Sequence, residues 1–159
     1  MSRPDTESMK YRPYTLKNFK QIPQVQKLSE DQKFAIEVVG HVLPFRTNNY
    51  VVEQLIDWDD VPNDPMFVLT FPQMEMLKPY HFEDMAAALT DGSSQEQVRE
   101  VARDIRWQLN PHPAGQMQHN VPSLEGKKLF GMQHKYRETV LFFPSQGQTC
   151  HAYCTFCFR

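Results

Sequence analysis

The sequence predicts an α/β fold class in which a helical N-terminal region leads into one apolar strand and then a loop of cysteines. Three observations predict it. Two segments combine capping-box spacing with apolar residues at helical intervals. The run ETVLFF is short, apolar and followed by a proline, as expected of a strand buried on both faces of a parallel sheet. All three cysteines, Cys150, Cys154 and Cys157, lie among the last ten residues.

The chain of 159 residues is long enough for one domain or part of one. A hydrophobic content of 40% with 23% charged residues is that of a globular protein, and 12 prolines against 6 glycines imply rigid breaks between short elements. The formal charge of −2, from 17 basic and 19 acidic residues mixed along the chain, leaves no electrostatic footprint for a nucleic-acid backbone. The first residues, MSRPDTESMKYRPYTLKNFK, lack the apolar centre of a secretory signal, and no later run reaches the length of a membrane span. A cytoplasmic protein is expected, without a nucleic-acid or membrane partner.

Residues 1–28 show no periodicity and are expected to form an N-terminal arm lying on the rest of the chain. From 29 to 110 the pattern is helical. Ser29 and Gln32 have capping-box spacing, and Phe34, Ala35, Val38, Val39 and Val42 recur at helical intervals before Pro44. Asn49 is placed to start a short helix through YVVEQLI. The stretch DWDDVPNDP then reads as a turn-rich break, and its DWDD at 57–60 as a turn with a helix cap rather than as paired carboxylates for acid–base work. Phe71, Met74, Met76 and Trp107 are expected in the core. HFEDMAAAL reads as a short helix ended by TDGSS, and Ser94 with Gln97 opens a longer one whose stripe is Val98, Val101, Ala102, Ile105 and Leu109. Residues 111–133 hold no period and read as a long loop, and ETVLFF comes next as a strand with no partner in the chain. The expected organisation is therefore an arm (1–28), a helical region (29–110), and a third segment (111–159) of loop, strand and cysteine loop.

Three thiolates at C-x-x-x-C-x-x-C spacing can converge on one centre, and thiolates suit iron–sulfur clusters and zinc among the common metals. Structural zinc closes four ligands, so the fourth would have to be a histidine such as His151, His134 or His119. Three ligands on a cubane instead leave one iron open. A disulfide framework is disfavoured by the odd count and the expected compartment.

At this point the sequence resembles the radical S-adenosylmethionine superfamily, whose signature C-x-x-x-C-x-aromatic-C comes after the first strand of a partial (β/α) barrel. Here it stands as Cys150, Cys154, Phe156 and Cys157 after ETVLFF. The resemblance implies that the three cysteines ligate a 4Fe–4S cluster. Its open iron would chelate S-adenosylmethionine, and the cofactor would yield a 5′-deoxyadenosyl radical that abstracts hydrogen from the substrate. The segment from Gly131 through Tyr136 to Arg159 is similar to the lysine 2,3-aminomutase family, in which Gly-Leu/Met-x-His-Arg/Lys-Tyr leads into the first strand and the cysteine loop ends C-x-R. That likeness lies in the C-terminal part of the chain, whereas the helical residues resemble the family only in general character.

The resemblance implies an amino-acid 2,3-aminomutase or a divergent relative, an isomerase with pyridoxal phosphate as a further cofactor. Arg159 would pair with the carboxylate of an amino-acid substrate, a role suited to a planar guanidinium. Lys135 and Tyr136 would serve the phosphate of the cofactor. In the family the tyrosine is followed by P-x-R, while here Tyr136 precedes Arg137, Glu138 and Thr139, so a threonine holds the arginine position. The strand and the cysteines are also two residues further apart than in the family's core members. The implied architecture is a helical N-terminal region leading into the first strand and cluster loop of a truncated radical S-adenosylmethionine barrel. Such an N-terminal piece is expected to be inactive alone, with an unpaired strand edge and an uncovered helix face that favour aggregation. An electron donor such as flavodoxin or ferredoxin is implied, and a homo-oligomer is compatible. Two alternatives stay open: a small zinc-binding interaction module, and an iron–sulfur protein that does not use S-adenosylmethionine.

Overall fold

The structure is a computed structural model, and it describes residues 10–109, 120–142 and 152–153. It divides into two compact units, Met1–Arg106 with His151–Arg159, and Trp107–Cys150.

In the first unit, strand β1 (Pro13–Thr15) pairs antiparallel with β2 (Arg46–Asn48), Tyr14 facing Thr47. The Asn49 side chain extends this pairing, accepting from the Arg12 amide at 2.8 Å and donating to the Lys10 carbonyl at 3.3 Å. A 3₁₀ turn (Phe19–Gln21) and the short helix α1 (Pro23–Gln26) come next, and Phe19, Ile22 and Val25 are buried. Residues 13–26 thus supply core side chains.

Helix α2 (Glu30–Val42) begins at the expected capping box: Ser29 Oγ accepts from the Gln32 amide, and the Gln32 side chain accepts from the Ser29 amide. Its Gly40 permits close approach, since a Cβ there would lie 2.5 Å from Leu16 Cδ2. After β2 the chain makes a π-helical turn (Val51–Leu55), then a turn region in which Trp58 Nε1 donates to the Val52 carbonyl at 2.7 Å. Asp64 Oδ1 caps helix α3 (Pro65–Thr70) by accepting from the Phe67 amide at 2.7 Å. Helix α4 (Pro79–Thr90) packs against α2, where Phe34 and Phe82 meet edge to face. It ends before Gly92, whose φ of 83° lies in the left-handed region. Helix α5 (Gln95–Leu109) carries the second capping box, Ser94 with Gln97, and buries Val98, Ala102 and Ile105. Three residues of the apolar stripe expected to be uncovered are therefore covered within the chain, and Val101 and Leu109 are half-buried.

The core of this unit is built around aromatic rings. Phe71 stacks on Phe67 with centroids 4.9 Å apart, meets Phe45 at 5.2 Å and takes the edge of Trp58 at 5.7 Å, while Phe19 closes on Phe45 at 6.1 Å. Two core assignments from the sequence are overturned. Trp107 is 68% exposed and Met74 is also exposed, the first because it lies off the Val98–Ala102–Ile105 stripe, the second because it sits in a single 3₁₀ turn at the surface.

Among its described residues the second unit contains two hairpins. Strands β3 (Ser123–Leu124) and β4 (Lys127–Lys128) pair through a turn at Glu125 and Gly126, both with positive φ. Part of the expected long loop is therefore a hairpin. Strand β6 (Thr139–Phe142) forms where ETVLFF predicts one, yet it pairs antiparallel with β5 (Met132–Tyr136), with a register shift between Gln133 and Tyr136. The expectation of a strand without a partner in the chain is thus corrected: a two-residue turn at Arg137 and Glu138 lets the preceding residues fold back and pair along one edge of it. Burial on both faces is also not found, since Val140 is 46% and Phe142 65% exposed.

Candidate metal centre

Cys150, Cys154 and Cys157, with His151 and Arg159, lie outside the described residues, as do His112 and His119. Ala152 and Tyr153, which stand between the first two cysteines in the sequence, are described. Tyr153 is bound at two points to the helical residues of its own unit. Its amide donates to the Leu69 carbonyl at 2.8 Å, and its phenol donates to the Pro44 carbonyl at 2.9 Å.

Each acceptor has a local reason to be available. Leu69 lies in the last turn of α3, where carbonyls lack a following helical amide. Pro44 comes after α2, just past Leu43, whose amide closes that helix on the Val39 carbonyl. The two acceptors stand next to packed rings, because Pro44 precedes Phe45, Leu69 lies two residues before Phe71, and those rings are in contact. Burial pushes the Tyr153 phenol well above the usual tyrosine range, so it remains a donor throughout the physiological pH range. The spacing of the cysteines gives no sign of Tyr153. The available signal was a large aromatic residue inside an otherwise small and polar intercysteine stretch.

Lys135 and Tyr136 have their backbone in β5, and their side chains lie outside the described part of the structure. Nearby, His134 Nε2 is 3.4 Å from the Arg137 carbonyl, beside the register shift, which is a local hydrogen-bonding role. The acidic DWDD stretch forms the expected turn, while the cap of the following helix comes from Asp64 beyond it. Asp57 Oδ1 accepts from the Asp59 amide, and Asp57, Asp59 and Asp60 are exposed. Among the described residues no three His, Cys, Asp or Glu side chains gather at a metal-sized site.

One open cleft of about 400 Å³ lies among α2, α4 and α5, lined by His41, Leu89, Ser93, Val98 and Arg99 among others. Desolvation holds the His41 imidazole below the usual histidine range, against the opposing pull of the Glu37 carboxylate. Among the described residues no helix is long and apolar enough to cross a membrane.

Comparison with known proteins adds one relative. The chain is 26% identical over 135 residues to a protein of Aquifex aeolicus (strain VF5) named "Putative L-lysine 2,3-aminomutase". The aligned part is 85% of this chain. It spans 26% of that protein's length. An alignment of 135 residues is too long to lie within 111–159, so the similarity takes in much of the helical region, further than the cysteine and strand motifs reach. No protein-family model matches the chain, and no solved structure matches it.

Proposed function

We propose that the chain is the N-terminal region of a radical S-adenosylmethionine enzyme of the aminomutase type. The observation that carries this reading is the agreement of two signals. The C-x-x-x-C-x-aromatic-C pattern of Cys150, Cys154, Phe156 and Cys157 comes after strand β6, and a protein named for lysine 2,3-aminomutase is similar over most of the chain. In this reading the three cysteines hold a 4Fe–4S cluster by their thiolates, the donor type such clusters take. When bound, the cluster and S-adenosylmethionine would supply the radical that removes hydrogen from the substrate.

The chain's own residues would position and recognise. Arg159 would take the carboxylate of an amino acid in a bidentate pair. Lys135 and Tyr136 would contact the phosphate of pyridoxal phosphate, with Thr139 in the place of the family's arginine marking a divergent relative. The helical unit would precede the first strand and cluster loop of a (β/α) barrel whose further strands lie outside these residues. A cytoplasmic enzyme reduced by a flavodoxin or ferredoxin, and assembled as a homo-oligomer, fits this reading.

Anaerobic reconstitution with iron and sulfide tests it. A brown protein is expected whose reduced electron paramagnetic resonance spectrum changes on adding S-adenosylmethionine. Cys150→Ala, Cys154→Ala and Cys157→Ala should each lose the cluster. A colourless zinc protein, a cluster indifferent to S-adenosylmethionine, or iron retained by all three variants would overturn the assignment.

A further inference from the structure

We propose that Tyr153 is a positioning residue that fixes the cysteine segment on the helical unit, its amide held by the Leu69 carbonyl and its phenol by the Pro44 carbonyl. The two bonds are 2.8 and 2.9 Å long, well within hydrogen-bond range. They reach acceptors on two different elements, the last turn of α3 and the segment leaving α2. Two attachments to separate elements fix both the position and the direction of the side chain, whereas one bond alone would leave it free to pivot.

The acceptors are well suited to the task. Both flank the contact of Phe45 with Phe71, and those rings are buried in the aromatic core. A displacement of Pro44 or Leu69 would therefore require repacking that contact, which close-packed interiors resist. The chain continues from Tyr153 directly into Cys154. A thiolate one residue from a doubly bonded anchor starts from a restricted set of positions, so less conformational entropy is lost when it takes a metal. This deepens the reading of the three cysteines as cluster ligands and rests on it. On that reading the helical unit preorganises the cluster loop, a task that neither the cysteine spacing nor the strand performs.

The test uses the whole chain, first without metal. Hydrogen exchange of the peptide spanning 143–159 reports docking directly. The Tyr153 amide should be protected in the wild type, exchange roughly fivefold faster in Tyr153→Phe, which lacks only the phenol bond, and lose protection in Tyr153→Ala. After anaerobic reconstitution, iron loss to a chelator should be faster in Tyr153→Ala than in the wild type, with Tyr153→Phe between them. Ser94→Ala serves as the control for stability, because it weakens the cap of α5 without touching Tyr153, and it should lose iron at the wild-type rate. Equal exchange in the wild type and Tyr153→Ala overturns the docking. Faster exchange with unchanged iron loss, or iron loss in Ser94→Ala matching that in Tyr153→Ala, overturns the positioning role. A wild-type chain that takes up neither iron nor sulfide overturns the ligand reading and the positioning role with it, while the exchange result still decides whether Tyr153 docks.

Discussion

Replacing Phe71 by alanine should be among the most damaging single changes to the helical unit. Phe71 is 0% exposed and touches three other rings: Phe67, stacked at 4.9 Å with planes 12° apart, Phe45 at 5.2 Å and Trp58 at 5.7 Å. Truncating a buried phenylalanine costs about 3–5 kcal/mol through lost burial and the cavity left behind. Each aromatic pair contributes about 0.5–1.5 kcal/mol beyond its buried area, so loss of three pairs puts Phe71→Ala near the top of that range. Domains of this size have about 5–15 kcal/mol in total, and a change of about 1 kcal/mol moves the midpoint of a domain of up to 100 residues by about 4–8 °C. Thermal unfolding followed by far-ultraviolet circular dichroism should therefore show a midpoint roughly 20 °C lower, or no folded baseline at all. Phe71→Leu should fall between this variant and the wild type, and Trp107→Ala, at a position 68% exposed, should stay within about 0.5 kcal/mol. A loss of less than about 5 °C in Phe71→Ala, or an equal loss in Trp107→Ala, would refute the aromatic core.

Local geometry gives three further outcomes. Asp64→Ala should lower stability by about 1–2 kcal/mol in urea unfolding, because the Phe67 amide loses its cap, and Asp64→Asn should recover most of it. Gly126→Ala should cost the hairpin about 1–2 kcal/mol, since Gly126 has φ of 77°, and exchange of the Leu129 amide, bonded to the Pro122 carbonyl, should accelerate. His41 is held below the ordinary histidine value of 6.5 in the folded chain, so the unfolded chain takes up its proton first as pH falls. The neutral imidazole's contribution is thus complete above that value and declines as pH falls through it toward the lower folded value. Melting temperature should drop between pH 7.5 and 5.5, and His41→Asn should flatten the slope; an unchanged slope would exclude His41 as its source.

The helices were legible because their signals are local. Ser29 with Gln32, and Ser94 with Gln97, are three residues apart, and the same side chains make the hydrogen bonds that their spacing predicts. Asp64 was not legible as a cap, because the six-residue helix that it opens, Pro65–Thr70, is too short to show a helical period. Residues 10–28 were not, because their burial depends on α2 and β2, far along the chain, and no periodicity within them encodes that. Trp107 and Met74 show the limit of hydrophobicity as a guide, for a large apolar residue is buried only if its face of the element meets the core. The pairing of β6 was missed for another reason. ETVLFF identifies a strand, but its antiparallel partner MQHKY has polar residues and no strong strand pattern, so the register is set by the turn between them. The site divides in the same way: the cysteine spacing is a pattern within the chain, whereas Tyr153 acquires its role from carbonyls on distant elements.

The attachment of Tyr153 also has an ordering in time. Its phenol and the Pro44 carbonyl are 109 residues apart, and the ribosome makes Pro44 first. At about 5–20 residues per second, the receiving surface has roughly 5–20 s to assemble before the tyrosine is added. The thiols on either side of it are therefore translated toward a receptor that has already had time to fold, so the most oxidisable part of the nascent polypeptide emerges after the place that is to hold it.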